Sequence, residues 1–228
     1  MADGTIIYRP NSDISLNHNV SSGSSGYLMI NESSSDGDSS YIYQSISSTS
    51  TSTKSSNFGF SGSVPSEKYE ITSATSHSYA RRGSTNDTAN ISYNITIGSS
   101  SKTLSGSSLT TSYADTGGSI DDIVSAINNE INSSGSFPDV SVTVNTSGKL
   151  SSKNNSNYIR VTQVYLEFQY NLVSTTSSIF IKEEGIWNKY SKVYQKKNGT
   201  WTEVNIKNIF SEIGSGSDIP YSYGGKIS

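Results

Sequence analysis

The sequence predicts an all-β protein: a β-sandwich with one inserted α-helix at about residues 119–132, followed by a small C-terminal β-hairpin module. Three observations carry this reading. Apolar residues recur at every second position in three stretches, Ile91/Tyr93/Ile95/Ile97, Val140/Val142/Val144 and Val164/Leu166/Phe168/Tyr170. That is the period of a strand buried on one face. Only Ile120, Ile123, Val124, Ile127 and Ile131 fall instead at helical spacing. After residue 172 a short motif repeats with a period of 14, which marks a second module, so the expected domains are 1–172 and 173–228.

In chain order, Thr5 to Arg9 is a short strand stopped by Pro10, and Asn11 to Ser25 is a polar loop that contains His18. Tyr27 to Glu32 and Tyr41 to Ile46 are two strands, joined by a linker whose Asp36-Gly37-Asp38 is a turn signal. Ser45 to Ser56 is nearly pure Ser/Thr, either a mobile loop or a solvent-facing ribbon. Phe58 and Phe60 share one strand face, and Tyr69 to Ser73 and His77 to Arg82 are weaker strands. Arg81-Arg82 reads as a charge pair at a strand edge. The helix takes Ser119 as N-cap, Asp121 and Asp122 near its positive end, and Gly135 with Pro138 as its stop.

The run Tyr158 to Tyr170 is the densest apolar stretch and the expected central strand. Its apolar phase changes, from Ile159 and Val161 to Val164, Leu166 and Phe168. A slip of one residue turns every later side chain to the other face, so a bulge is expected near Thr162 or Gln163, or else a start buried on both faces.

In the C-terminal part, Phe180-Ile-Lys-Glu-Glu-Gly-Ile-Trp187 aligns with Tyr194-Gln-Lys-Lys-Asn-Gly-Thr-Trp201. Asn198-Gly199 is a type I′ hairpin signal, and Glu184-Gly185 takes the same place in the first copy. Each copy is read as strand–turn–strand with its Trp covering its own hairpin. Asn171 to Ser178 is a polar connector, and the tail from Ser211 is an extended arm.

Composition narrows the function classes. Hydrophobic residues make up 32% and charged residues 15% of the 228, with a formal net charge of −3 and 15 tyrosines. Disordered chains combine low hydrophobicity with high net charge, so a thin-cored β protein fits better. Its cations are too few and scattered for a nucleic-acid surface. No window reaches the length of a membrane helix, and the first residues lack the pattern of a secretory signal. The expectation is assembly in a cytosol, without insertion into a membrane. With no cysteine, thiol catalysis and disulfides are excluded.

No catalytic residue is expected. His18 and His77 are the only histidines, and no Ser–acid arrangement beside them reads as a triad. Glu32, Asp36 and Asp38 are weak candidates for a calcium loop, since Ca²⁺ takes six to eight oxygens. The alternative is that the two aspartates cap their own turn, so no cofactor or metal is expected. The Asn-x-Ser/Thr sites at Asn19, Asn31, Asn86, Asn90, Asn94, Asn145, Asn154 and Asn198 are expected in a chain this rich in those residues and to remain unmodified. Tyrosines and tryptophans serve either as sugar platforms or as core. Trp187, Trp201, Tyr194 and Phe180 are the expected interaction residues, because large aromatics dominate interface energy.

Several segments together resemble a known group. Tyr8-Arg9-Pro10, Asp13, Ile30-Asn31-Glu32, Asp36-Gly37-Asp38 leading to Tyr41-Ile42-Tyr43, and Arg160 to Phe168 resemble a β-sandwich domain of tailed-phage and prophage virion proteins, over about residues 5–171. The Tyr194 to Trp201 repeat resembles the short hairpins that end many Gram-positive phage structural proteins. The resemblance implies a lectin-like jelly-roll on a virion, in capsid decoration, head fibre or tail. It also implies other virion proteins and copies of itself as partners. A host surface glycan is the alternative, as for a carbohydrate-binding (receptor-binding) module. The helix and the Ser45 to Ser56 run depart from the pattern.

Overall fold

The computed structural model describes residues 2–34, 39–84, 87–153 and 156–173, and the backbone of five short strands beyond them. The chain divides into two compact units, Met1–Val173 and Ser174–Ser228. The first is all-β apart from one helix. Its strands are β1 (Gly4–Ser15), β2 (Asn19–Val20), β3 (Ile42–Ile46), β4 (Ser52–Ser61), β5 (Tyr69–Arg82), β6 (Thr88–Ile97), β7 (Ser100–Ser108), β8 (Ala114–Asp115), β9 (Gly118–Ser119), β10 (Val140–Lys149) and β11 (Asn157–Leu172). All pairings are antiparallel.

In the first sheet β11 is central. β5 runs along one edge from Arg82 to Tyr69. The other edge takes β3 opposite residues 157–161, and then β1 opposite residues 166–170. The second sheet runs β1–β4–β10–β6–β7. β1 therefore serves both, with Gly4 to Tyr8 on β11 and Arg9 to Ser15 on β4. Its register shifts between Pro10 and Ser12. The strand does not stop at Pro10 as expected. A proline removes one ladder donor, and here it falls where the chain passes from one sheet to the other.

The inward side chains of both sheets form one core, a β-sandwich arrangement. Ile91, Ile95, Ile97, Val142, Val144, Val164, Leu166 and Phe168 are all buried, as the period of two requires, while Tyr170 is half-buried. The phase change in β11 has a local cause. Val161 pairs with Ala80 and Gln163 with Tyr79, so Thr162 is the extra residue of a bulge. Around it Val161, Thr162, Gln163 and Val164 are all buried. Thr162 Oγ1 donates to the Ser40 carbonyl at 2.9 Å and Gln163 Nε2 to the Glu32 carbonyl at 2.8 Å. The bulge thus carries its own hydrogen-bond partners.

Three local expectations fail. Tyr27–Met29 is a 3-10 turn rather than a strand: the Asp13 carboxylate accepts the N–H groups of Gly26 at 2.9 Å and Tyr27 at 2.7 Å and fixes the turn from outside. The serine-rich run is not a loop from Ser52 onward: residues 52–56 of β4 pair with β10, and β1 joins the other side of β4 only from Asn57. The two weaker strands at 69–82 are one strand, β5.

The helix comprises a 3-10 turn, Asp121–Ile123, leading into α1, Val124–Ser134. Ser119 ends β9 and is not the expected N-cap, which is Ile120 for the 3-10 turn and Ile123 for α1, although its Oγ accepts the Asp121 N–H at 3.1 Å. Gly135 closes the helix at φ 75°, a left-handed conformation that glycine adopts without penalty. The segment around it seals the outer edge of β5. Arg82 N–H donates to the Thr110 carbonyl, β8 and β9 pair with residues 75–80, and Ile120 N–H donates to the Ala74 carbonyl. The Asn128 amide then takes both backbone groups of Ile71, at 2.8 Å each. Gly117 sits where an added Cβ would lie 1.8 Å from the Ser76 carbonyl oxygen.

In the second unit the strands are β12 (Ile179–Glu183), β13 (Ile186–Tyr190), β14 (Val193–Lys197), β15 (Thr200–Val204) and β16 (Lys226–Ile227). β12 pairs with β13, and β14 with both β15 and β16. The strands of the second pair follow those of the first at a constant offset of 14 residues. Their turn residues 184–185 and 198–199, the connector residues 174–178 and most of the tail lie outside the described residues. Among the described residues no helix is long and apolar enough to cross a membrane.

Leu166 and Phe168 are fully buried. Leu166→Ala or Phe168→Ala is expected to cost about 2–5 kcal/mol, and Glu167→Ala on the opposite face no more than about 0.5 kcal/mol. Urea denaturation of the three variants measures this. Equal losses from both faces would contradict the assignment of β11.

Candidate functional site

Of the acids singled out as calcium candidates, Glu32 is the one described. Its carboxylate accepts the Ser40 hydroxyl, and its backbone carbonyl accepts Arg9 and Gln163. Asp36 and Asp38 lie outside the described residues. Among the described residues no three His, Cys, Asp or Glu side chains come together as a metal site.

His18 is not a surface loop residue. It is 4% exposed. Its Nδ1 meets Ser56 Oγ at 2.8 Å and its Nε2 meets Thr146 Oγ1 at 2.8 Å. Thr146 donates to Gln44 Oε1 at 2.7 Å, and Gln44 Nε2 donates to Ser52 Oγ at 3.0 Å. This chain of polar groups ties β3, β4 and β10 to the residue before β2. Burial pushes the His18 imidazole down to about 4, and the charge of Lys54 pushes the same way. Both ring nitrogens are engaged by hydroxyls, and among the described residues no carboxylate joins them, so the cluster has the geometry of a structural pin.

His77 presents the other half of a catalytic arrangement. Its Nδ1 lies 2.6 Å from Asp115 Oδ2, and its ring stacks on Tyr165 at 4.6 Å. Asp115 also accepts the N–H groups of Ser78 and Gly117, at 2.9 Å each. That is the base–carboxylate pair of a triad, but among the described residues no hydroxyl hydrogen-bonds to its Nε2. Asp115 here ties the 114–117 segment to β5.

The two outer faces of the sandwich differ in kind. On the first sheet Tyr43, Arg160 and Arg81 are directly opposite one another across three strands. The Arg160 guanidinium lies 4.3 Å from the Tyr41 ring centre and 4.0 Å from that of Tyr158. Arg81 lies 5.2 Å from Tyr113 and 5.5 Å from Tyr158, and Arg9 lies 5.0 Å from Tyr165. Such contacts order long side chains and contribute about 0.5–1 kcal/mol each. Arg81, expected as one half of a charge pair at a strand edge, is therefore part of a tyrosine–arginine face. Several tyrosines expected as sugar platforms already have a ring face against a cation, and Tyr8, Tyr69 and Tyr93 are core.

The outer face of the second sheet bears hydroxyls and amides instead. Pairing places Asn145 between Ser55 and Ser92, and Ser147 between Thr53 and Asn90. These residues line an open groove of about 570 Å³. Sequence reasoning missed it, although its signal was present. The Asn-x-Ser/Thr sites at Asn90 and Asn94 arise because β6 alternates inward Ile and Tyr with outward Asn, Ser and Thr.

The expected interaction residues of the second unit fall on strand positions with a shared register. Trp187 is opposite Lys182 and Trp201 opposite Lys196, while Phe180 faces Lys189 and Tyr194 faces Glu203. What their side chains contact, including whether each Trp covers its hairpin, lies outside the described residues.

No protein-family model matches the chain, and a search of curated proteins finds no relative.

His18 makes a pH prediction. Its folded value, about 4, is below its unfolded value of 6.5. A neutral buried histidine stabilises the fold above the unfolded value, and that contribution is lost as pH falls toward the folded one. The expected loss between pH 7 and 4 is about 3 kcal/mol. Asp87, Asp122 and Glu130, whose carboxyls are all held low by hydrogen bonds, titrate in the same direction. The measurement is therefore the difference between the native chain and His18→Gln. The variant should be less stable at pH 7 and show a shallower acid slope, and parallel slopes would contradict the prediction.

Proposed function

We propose that this chain is a non-enzymatic structural protein of a tailed-phage particle. In this reading residues 1–173 are the displayed sandwich, and the second unit engages a neighbouring particle protein, in capsid decoration, a head fibre or the tail. The observation that carries the reading is the hairpin repeat. Two antiparallel strand pairs, 14 residues apart, belong to a second compact unit, Ser174–Ser228. Isolated hairpins are marginal in water, and this unit has no cysteine to staple it, so a partner surface accounts for its retention. The similarity of Tyr8 to Tyr43 and Arg160 to Phe168 to phage β-sandwich domains supports the same reading. The tyrosine–arginine face adds residue types that dominate protein interfaces and suits contacts between copies. The engagement of both histidines in holding the sandwich together favours a structural over a catalytic role.

The test is a chain ended after Val173. It is expected to keep the thermal transition of the sandwich and to be missing from gradient-purified particles that incorporate the full chain. Unfolding of the shortened chain would place residues 174–228 in the sandwich's stability. Its undiminished incorporation would overturn the assigned role of the second unit.

A further inference from the structure

The groove on the outer face of the second sheet is used neither by the core nor by the particle reading. Its floor is two rows of three side chains across β4, β10 and β6: Thr53, Ser147 and Asn90, then Ser55, Asn145 and Ser92. Asn17 closes one side, anchored by its own N–H to Ser56 Oγ at 2.9 Å and by its amide to the Ser55 carbonyl at 2.8 Å. Gly106 lies on the other side, where the β6–β7 ladder slips between Ile91 and Tyr93.

All six floor residues are neutral, and each hydroxyl or amide both donates and accepts hydrogen bonds. The amide oxygens of Asn145 and Asn90 accept the hydroxyls of Ser55, at 2.8 Å, and Ser108, at 3.3 Å. Their amide nitrogens donate to no described residue, and the hydroxyls of Thr53, Ser92 and Ser147 bond to none. Among the described residues the lining holds no carboxylate, and its one cation, Lys54, reaches Asn19 Oδ1 at 3.1 Å. None of its described lining residues is aromatic, and the exposed large hydrophobics Ile14, Leu28, Val64 and Leu172 are elsewhere.

These features select the ligand. A protein partner buries an apolar centre, and a polyanion needs an array of cations. The groove offers neither. A neutral polyhydroxylated chain has the same double inventory of donors and acceptors as the floor. Within each row the side chains also follow one another from strand to strand at about 4.8 Å, comparable to the length of one pyranose residue. We propose that this groove binds a neutral glycan, laid across β4, β10 and β6. The inference does not rest on the particle reading, because every described residue of the groove belongs to the first unit. With hydrogen bonds alone the affinity of one copy is low, and many copies on one support raise it through effective concentration.

The test is an NMR titration of the full chain with soluble oligomers of glucose, galactose, rhamnose and N-acetylglucosamine, beside a uronic-acid oligomer. At least one neutral oligomer is expected to bind saturably in the millimolar range and to shift the amides of Ser55, Ser92 and Asn145. The uronate should not bind there. Asn90→Ala combined with Asn145→Ala removes two donors and should weaken binding by about tenfold or more, with the melting temperature unchanged. Ser92→Trp fills the groove and should abolish binding. The proposal is overturned if no neutral oligomer shifts these amides, if the shifts map to Tyr158 and Tyr165 instead, if the uronate binds as well, or if the double variant keeps full affinity. Glycan binding by a chain whose second unit proves dispensable for particles would leave this inference standing while the particle reading falls.

Discussion

The constraint on which the sandwich depends is the double pairing of β11. Its N-terminal half has β3 on one side and its C-terminal half β1, while β5 follows it along the other edge. Because β1 then crosses to β4, the second sheet inherits its position from the same strand. A core built from so few apolar residues has little excess burial, so the register of one strand decides whether they meet. The bulge at Thr162 sets that register. Without the extra residue Leu166 and Phe168 would turn outward and Glu167 inward, exchanging apolar burial for a buried charge.

Polar groups do some of the work that aliphatic residues do in thicker sandwiches. The His18–Ser56–Thr146–Gln44 chain joins three strands and the residue before a fourth, and each member has a partner. A fully satisfied buried network specifies one arrangement, and a half-satisfied one is costly. The Asn128 and Asp121 side chains similarly complete the ladder of β5 where no strand is available. An edge left bare is a template for pairing with other chains, and residues 110–128 cover this one.

What was legible in the sequence follows from whether a signal was local. The alternation of Ile91 to Ile97, Val140 to Val144 and Val164 to Phe168 needed no partner to be read, and neither did the helical stripe or the phase change at Thr162. Where a partner distant in sequence decides the outcome, reading failed. Tyr27 to Glu32 looks like a strand, but Asp13 makes its beginning a turn. Ser56 looks like a loop residue, but it is an inward position that His18 fills from 38 residues away. His18 itself looks exposed because all its near neighbours are polar. The groove escaped for a related reason: outward residues of a strand show no apolar pattern, so their grouping appears only when the strands are paired.

The separation of inward and outward positions on the second sheet has an evolutionary consequence. Thr53, Ser55, Asn90, Ser92, Asn145 and Ser147 project from strands whose stability is set by the opposite side. Exchanges at such surface positions usually alter stability by no more than about 0.5 kcal/mol. The face can therefore drift through many combinations of hydroxyls, amides and other small groups under an unchanged core. A lineage that must follow a changing surface chemistry would find here a plate that is rewritten one residue at a time, with no refolding of what lies beneath.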